Sequence, residues 1–181
     1  MAMAETLLAE TLPPSPSLAD LETWARDRQL LLRLQPLQRL GLRSLRVGVA
    51  RSGPEGLQLL GDLKGWALAW ADGLQVDSLR VQGAGTAGVA PLATAAAMAW
   101  ALEATPCRRA HILAIDDDDR QHRRLVRYFQ TLGFQPRRHL GSAPADLPLR
   151  LVWGGSGLLM AAPCAQVLGR CWRRLQTMPA A

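Results

Sequence analysis

Residues 74–134 read LQVDSLRVQGAGTAGVAPLATAAAMAWALEATPCRRAHILAIDDDDRQHRRLVRYFQTLGF, and this stretch decides the fold. It opens with an apolar strand (Leu74–Val81), a glycine turn (Gly83, Gly85, Gly88) and an alanine-rich helix from Pro91 to Ala104. A second apolar strand (His111–Ile115), four aspartates (Asp116–Asp119) and a basic helix closing on Leu132-Gly133-Phe134 follow. Strand, crossover helix and strand in this order favour a parallel pair. A glycine turn at a helix N-terminus leaves backbone N–H groups pointing outward, which suits a phosphate or pyrophosphate.

The first of these strands slips in parity. Leu74 and Val76 are even, Leu79 and Val81 odd. Side chains alternate along a strand, so one face holds both pairs only if the strand carries an extra residue, a bulge near Ser78. Otherwise Leu79 faces a second buried layer. The helix after the turn is apolar nearly all round, which makes it central.

Upstream, Pro13, Pro14 and Pro16 mark residues 1–17 as a flexible tail, with Ser17 capping a helix and Asp20 completing a capping box. Leu18, Leu21, Ala25, Leu31 and Leu32 form a helical stripe that stops before Pro36. Leu45–Ala50, Leu57–Leu63 and Trp66–Trp70 alternate as strands, and Asp72-Gly73 turns into Leu74, giving four strands in meander order. Downstream, Phe134–Leu140 and Leu147–Trp153 are two closing strands, and Cys164–Met178 is a final helix. Residues 18–178 thus form one domain.

Composition excludes several classes. Of 181 residues, 49% are hydrophobic and 20% charged, enough apolar content for a core. Cys107, Cys164 and Cys171 include no CxxC pair, and His111, His122 and His139 do not cluster at ligand spacing, so neither a disulfide scaffold nor a metal site is expected. No apolar run reaches the roughly 20 residues that cross a bilayer. Free thiols and the lack of a secretory pattern point to the cytoplasm. The formal charge of +6 attracts anions, but the arginines fall in short clusters at 120–127, 137–138 and 170–174. A nucleic-acid role through Arg170, Arg173 and Arg174 ranks below the readings that follow.

The order of elements over roughly residues 18–160 resembles the GNAT acetyltransferase fold, a mixed, mostly antiparallel α/β sheet with a parallel pair at its fourth and fifth strands. Gly88-Val89-Ala90 is similar to the family's Gly-Ile-Gly, and Leu125–Phe134 resembles its Leu-Tyr-Glu-Lys-Leu-Gly-Phe. The resemblance implies that acetyl-CoA donates an acetyl group to the amine of a small molecule or protein. Its pantetheine arm would lie against Val81 and its pyrophosphate over Gly85, Thr86, Ala87, Gly88, Val89 and Ala90. In this register Gly85 replaces the family's Arg or Gln; Gln82–Ala87 fits the motif too, but lies farther from the helix. The family's thiolate-protonating tyrosine falls on Phe129, which has no proton to donate. Tyr128, one position earlier, and His122 are the acid candidates, and an aspartate of 116–119, represented by Asp117, the base. Asp116–Asp119 is otherwise a helix cap with favourable charge at the positive dipole end. Phe129 and the missing Arg or Gln favour the alternative, a catalytically weak or inert module that binds acyl-CoA or a protein partner.

Overall fold

The computed structural model describes residues 15–83 and 85–179. Helix α1 (Leu18–Arg26) is followed by strands β1 (Leu30–Arg39), β2 (Leu42–Gly53), β3 (Gly56–Ala67) and β4 (Leu74–Val81). Then come α2 (Val89–Ala104), β5 (Arg109–Ile115), α3 (Asp119–Leu132), β6 (Gln135–Leu140), α4 (Leu147–Trp153), β7 (Gly157–Pro163) and α5 (Cys164–Gln176). The strands make one sheet in the order β1-β2-β3-β4-β5-β7-β6. Every neighbouring pair is antiparallel except β4 and β5, which run parallel as expected.

The capping box forms: the Ser17 hydroxyl accepts from Asp20 N–H at 3.2 Å, and the Asp20 carboxylate accepts from Ser17 N–H at 2.8 Å. The remainder of the expected tail, residues 1–14, lies outside the described residues.

The helical stripe expected up to Pro36 is corrected. α1 ends at Arg26, and Gln29 takes φ 57°, which breaks the helix and redirects the chain. Leu30, Leu32 and Leu34 then alternate inward against outward Leu31, Arg33 and Gln35. Pro36 is tolerated because β1 is an edge strand, with β2 its only neighbour among the described residues. The two strands expected over Leu57–Leu63 and Trp66–Trp70 are one, β3, which ends at Ala67, so the meander still counts four. Leu40 and Gly41 join β1 to β2 with φ 47° and 82°, the left-handed pair of a tight hairpin turn.

Leu147–Trp153 is a helix, not a strand. Pro148 sits in its first turn, where a missing N–H costs nothing, and Gly154 closes it at φ 75°. The last strand is instead Gly157–Pro163, inserted between β5 and β6.

Helices α1, α2, α5 and α3 pack side by side on one face of the sheet. Their shared core holds Leu21, Leu63, Leu74, Val76, Leu92, Met98, Ile112, Phe129, Met160 and Leu168, with α2 buried along nearly its whole length. Among the described residues no helix packs over the opposite face of β1–β3, which is bare; at β4 Gln75 is buried and Val152 of α4 borders the surface. Its cross-strand rows run Arg33–Gly48–Asp62–Arg80, Gln35–Arg46–Lys64–Ser78 and Leu37–Ser44–Trp66–Gln75.

Candidate functional site

The expected bulge is present and sits one residue before Ser78. Lys64 pairs with Ser78 and Gly65 with Val76, so Asp77 is the extra residue. It flips the inward parity from Leu74 and Val76 to Leu79 and Val81, which resolves the slip in the sequence. The parallel pairing of β4 with β5 ends at the same place, at Val76 and Ile112. Beyond it β4 pairs only with β3, and β5 only with β7. The two strands therefore part, and the backbone of residues 77–81 and 113–115 lines a gap without a neighbouring strand.

The glycine turn stands at the end of β4. Gly83 and Gly85 adopt φ 92° and 68°. Val89 N–H donates to the Thr86 carbonyl, while among the described residues no acceptor is found for the amides of Thr86, Ala87, Gly88 and Ala90. No acidic side chain stands in the first turn of α2, and none caps it. A phosphate fits this cradle. Arg51 of β2 adds a cation the sequence reading missed: its guanidinium lies 3.7 Å from where a Cβ on Gly85 would be. Nothing in the spacing of Arg51 signals this, because the β2–β3 pairing brings it there.

Gly88 is small for a different reason than a phosphate approach path. Its φ is −88°, and a Cβ would meet Met178 Sδ at 3.2 Å and Trp24 Cη2 at 3.3 Å. The glycine lets the start of α2 nest between α1 and the end of α5. Gly85 and Ala87 form the exposed edge of the turn, with Thr86 and Ala90 partly covered and Val89 buried.

On the β5 side of the gap, Asp118 caps α3, its Oδ1 accepting from Arg120 and Gln121 N–H at 2.9 Å. Asp117 is exposed in the loop and forms no ion pair with another candidate among the described residues. Its neighbour Asp116 holds two imidazoles instead, His122 Nδ1 on Oδ1 at 2.8 Å and His139 Nε2 on Oδ2 at 2.7 Å. His122 Nδ1 also reaches the Ile115 carbonyl at 3.2 Å, which ties the ring to the end of β5 that lines the gap, and Nε2 has no partner among the described residues. A carboxylate that fixes one imidazole nitrogen leaves the other to take or give a proton.

Tyr128 does not join this group. Its hydroxyl is buried, without a hydrogen-bond partner among the described residues, and its ring packs against Phe129 and under the Arg174 guanidinium of α5. Burial, with Cys171 nearby, holds the phenol well above its usual pKa, and Arg174 offsets this in part. Phe129 is 5% exposed and meets Phe134 edge-on in the core. Tyr128→Phe is therefore expected to leave thermal stability unchanged or raised, because an unsatisfied hydroxyl is removed. Phe129→Tyr should cost about 1–3 kcal/mol by burying one. Thermal melts of the two variants check both. A loss of stability in Tyr128→Phe would show that its hydroxyl has a partner. The thiols of Cys164 and Cys171 are pushed up to about 12 by burial and are no nucleophiles near neutral pH.

Asp77 was missed as a candidate, although the parity slip marks its position. Its Oδ1 accepts from Trp66 Nε1 and from Gln75 Nε2, both at 3.1 Å. Partial desolvation holds its carboxyl above the ordinary range, and the two hydrogen bonds pull it back. The carboxylate thus stands at the point where β4 leaves β5, on the bare face.

No family model matches the chain, and no curated protein matches it in sequence. Solved structures are similar, two of them as follows. Nourseothricin acetyltransferase shares 16% identity over 75% of this chain and 85% of that one, with a TM-score of 0.47. A protein described as an acetyltransferase from T. thermophilus shares 13% identity over 91% and 92%, also at 0.47. The fold is GNAT-like. The bulged β4, its parting from β5 and the turn into α2 make it so by their own register. At 13–16% identity nothing of either protein's chemistry passes to this chain.

Proposed function

We propose that this chain binds acetyl-CoA and transfers its acetyl group to an amine. The observation that carries the reading is the bulge at Asp77, which ends the β4–β5 pairing and leaves unpaired strand backbone beside a glycine turn. The pantetheine amides would bond to residues 77–81 of β4, Val81 among them, and the pyrophosphate would lie on the amides of 85–90 with Arg51 alongside. Acetyl-CoA supplies an activated acyl carbon. The chain supplies position, which alone is worth several kcal/mol of barrier. His122, held by Asp116, is the group placed to carry a proton on the β5 side of the gap.

Calorimetry with coenzyme A and acetyl-CoA tests this, together with Ala87→Asp, which sets a carboxylate on the exposed edge of the turn. The parent should bind and the variant bind about tenfold more weakly, with an unchanged melting temperature. Equal affinity would move the pyrophosphate elsewhere, and no binding by the parent would sink the reading. The buried Tyr128 hydroxyl and Phe129 favour a second reading, a module that holds acyl-CoA without turnover. Coenzyme A binding with no acetyl-CoA consumption on any amine would select it.

A further inference from the structure

The bare face of the sheet carries a groove with two unlike ends. One end is a hollow of about 440 Å³ whose lining includes Arg33, Arg46, Gly48, Asp62, Lys64 and Arg80. Four cations meet one carboxylate there, and none of the five is in an ion pair among the described residues. Arg46 and Lys64 stand directly opposite each other across β2 and β3. Like charges in that position destabilise a sheet, so the arrangement works against folding unless an anion neutralises it. Gly48 floors the hollow in mid-strand, where its backbone needs no glycine. A Cβ would meet only Leu59 Cδ1, at an ordinary 3.9 Å. Glycine weakens a strand interior and often marks a close approach by a ligand. What it does here is keep the hollow deep.

Past Arg46 and Lys64 the groove continues over Leu37, Trp66 and Leu68, with Val152 of α4 on its border, and reaches Asp77. The cationic end and the Asp77 end thus share one surface, and Asp77 adjoins the gap proposed for the thioester.

We propose that this groove seats the acyl acceptor, and that the acceptor is a small amine carrying a phosphate or carboxylate group. Its anionic end lies over Arg46, Lys64, Arg33 and Arg80, and its amine at Asp77. The proposal rests on the acetyl-transfer reading above. Adjacent cross-strand rows are about 7 Å apart along a strand, which sets the spacing of amine and anion at roughly 7–10 Å. Guanidinium forks suit phosphate and carboxylate oxygens.

In the reaction Asp77 takes one proton from the ammonium. The freed lone pair forms the C–N bond at the thioester carbonyl, and the C–S bond breaks with its electrons on sulfur. The second N–H proton passes to that sulfur, giving the amide and free coenzyme A, and Asp77 returns its proton to water. The partly desolvated Asp77 suits this task, because a carboxyl held above its ordinary range is a stronger base.

The test uses the full chain with aminoalkyl phosphates of two to six methylenes and the matching aminoalkanols, following acetyl-CoA consumption. The phosphates should be preferred at least tenfold in kcat/KM, most strongly at the longer spacings, and the preference should fall with salt. Arg46→Gln with Lys64→Gln should abolish the preference mainly through KM. Asp77→Asn should lower kcat about hundredfold at an unchanged coenzyme A affinity. Gly48→Val fills the hollow without altering charge. It should lose the phosphate preference while melting no lower than the parent, since valine suits a strand.

A parent without preference, or a preference that survives in the Arg46/Lys64 or Gly48 variant, overturns the proposal. If coenzyme A binds and neither amine class is acetylated, the acceptor assignment falls and the cofactor site stands. If coenzyme A does not bind, both fall. An oligonucleotide that binds this face more tightly than any aminoalkyl phosphate makes it a nucleic-acid surface and overturns the proposal as well.

Discussion

Gly157→Ala is expected to cost about 3 kcal/mol or more, at the upper end of what overpacking does. A Cβ there would stand 2.2 Å from the Ala114 carbonyl oxygen and 2.9 Å from its carbon, with Ile115 Cα at 3.0 Å. All three atoms belong to the backbone of β5, so no side chain can swing away. Relief requires β7 to move off β5, which it pairs with along seven residues from Gly157 to Pro163. β7 is also the strand that holds β6 to the sheet. The melting temperature should fall by roughly 6–12 °C for a chain of this size, or the protein should fail to accumulate folded. A variant melting within a degree or two of the parent would show that β5 and β7 lie farther apart than described. No second substitution at a neighbouring side chain should rescue it.

Gly61→Ala differs in that its clash is partly with a side chain. A Cβ on Gly61 would lie 2.4 Å from Val89 Cγ1 and 3.0 Å from the Arg80 carbonyl. Val89 is the first residue of α2, so Gly61 is what lets the helix start rest directly on β3. The variant should lose about 2 kcal/mol, or roughly 4–8 °C. It should also push the first turn of α2 outward and, if the turn holds the proposed cofactor, weaken coenzyme A binding, because the cradle amides move with it. Adding Val89→Ala removes the methyl in the way. The double variant should therefore be more stable than the two single losses added together, with a coupling of about 1 kcal/mol or more, and should regain affinity. Additive losses would mean that Gly61 and Val89 do not touch.

The middle of the fold was legible because its signals are local. The parity slip over Leu74–Val81 revealed the bulge, the glycine turn marked the start of α2, and Leu132-Gly133-Phe134 marked the end of α3, where Gly133 adopts φ 101°. The ends were less so. Leu30–Leu34 satisfies helix and strand spacing alike when read as a string of leucines. The left-handed Gln29 that separates them has no strong residue preference behind it. Leu147–Trp153 is short and apolar enough for a strand, and only Pro148 and Gly154 at its borders tell against one. The site divided the same way. The amide cradle follows from sequence order, whereas Arg51, the Asp116 pair of histidines and the groove from Arg33 to Asp77 exist only through sheet register. Tyr128 and Phe129 show the limit of motif alignment: Tyr128 turns toward Cys171 and Arg174 of α5 and Phe129 toward Phe134 in the core, so neither ring joins the Asp116–His122 group.

Because one side of β1–β3 is packed and the other bare, sequence neighbours there live under separate constraints. Val47 is fully buried and Arg46 beside it is exposed; the same holds for Leu63 and Lys64. Outward substitutions usually change stability by no more than about 0.5 kcal/mol, whereas inward ones cost several times that. The outward positions can therefore drift, reversing charge or changing size, while the scaffold is left intact. A combinatorial library varied at residues 33, 46, 48, 64 and 80 would stay largely folded, and descendants of this chain could change what they recognise without first relearning how to fold.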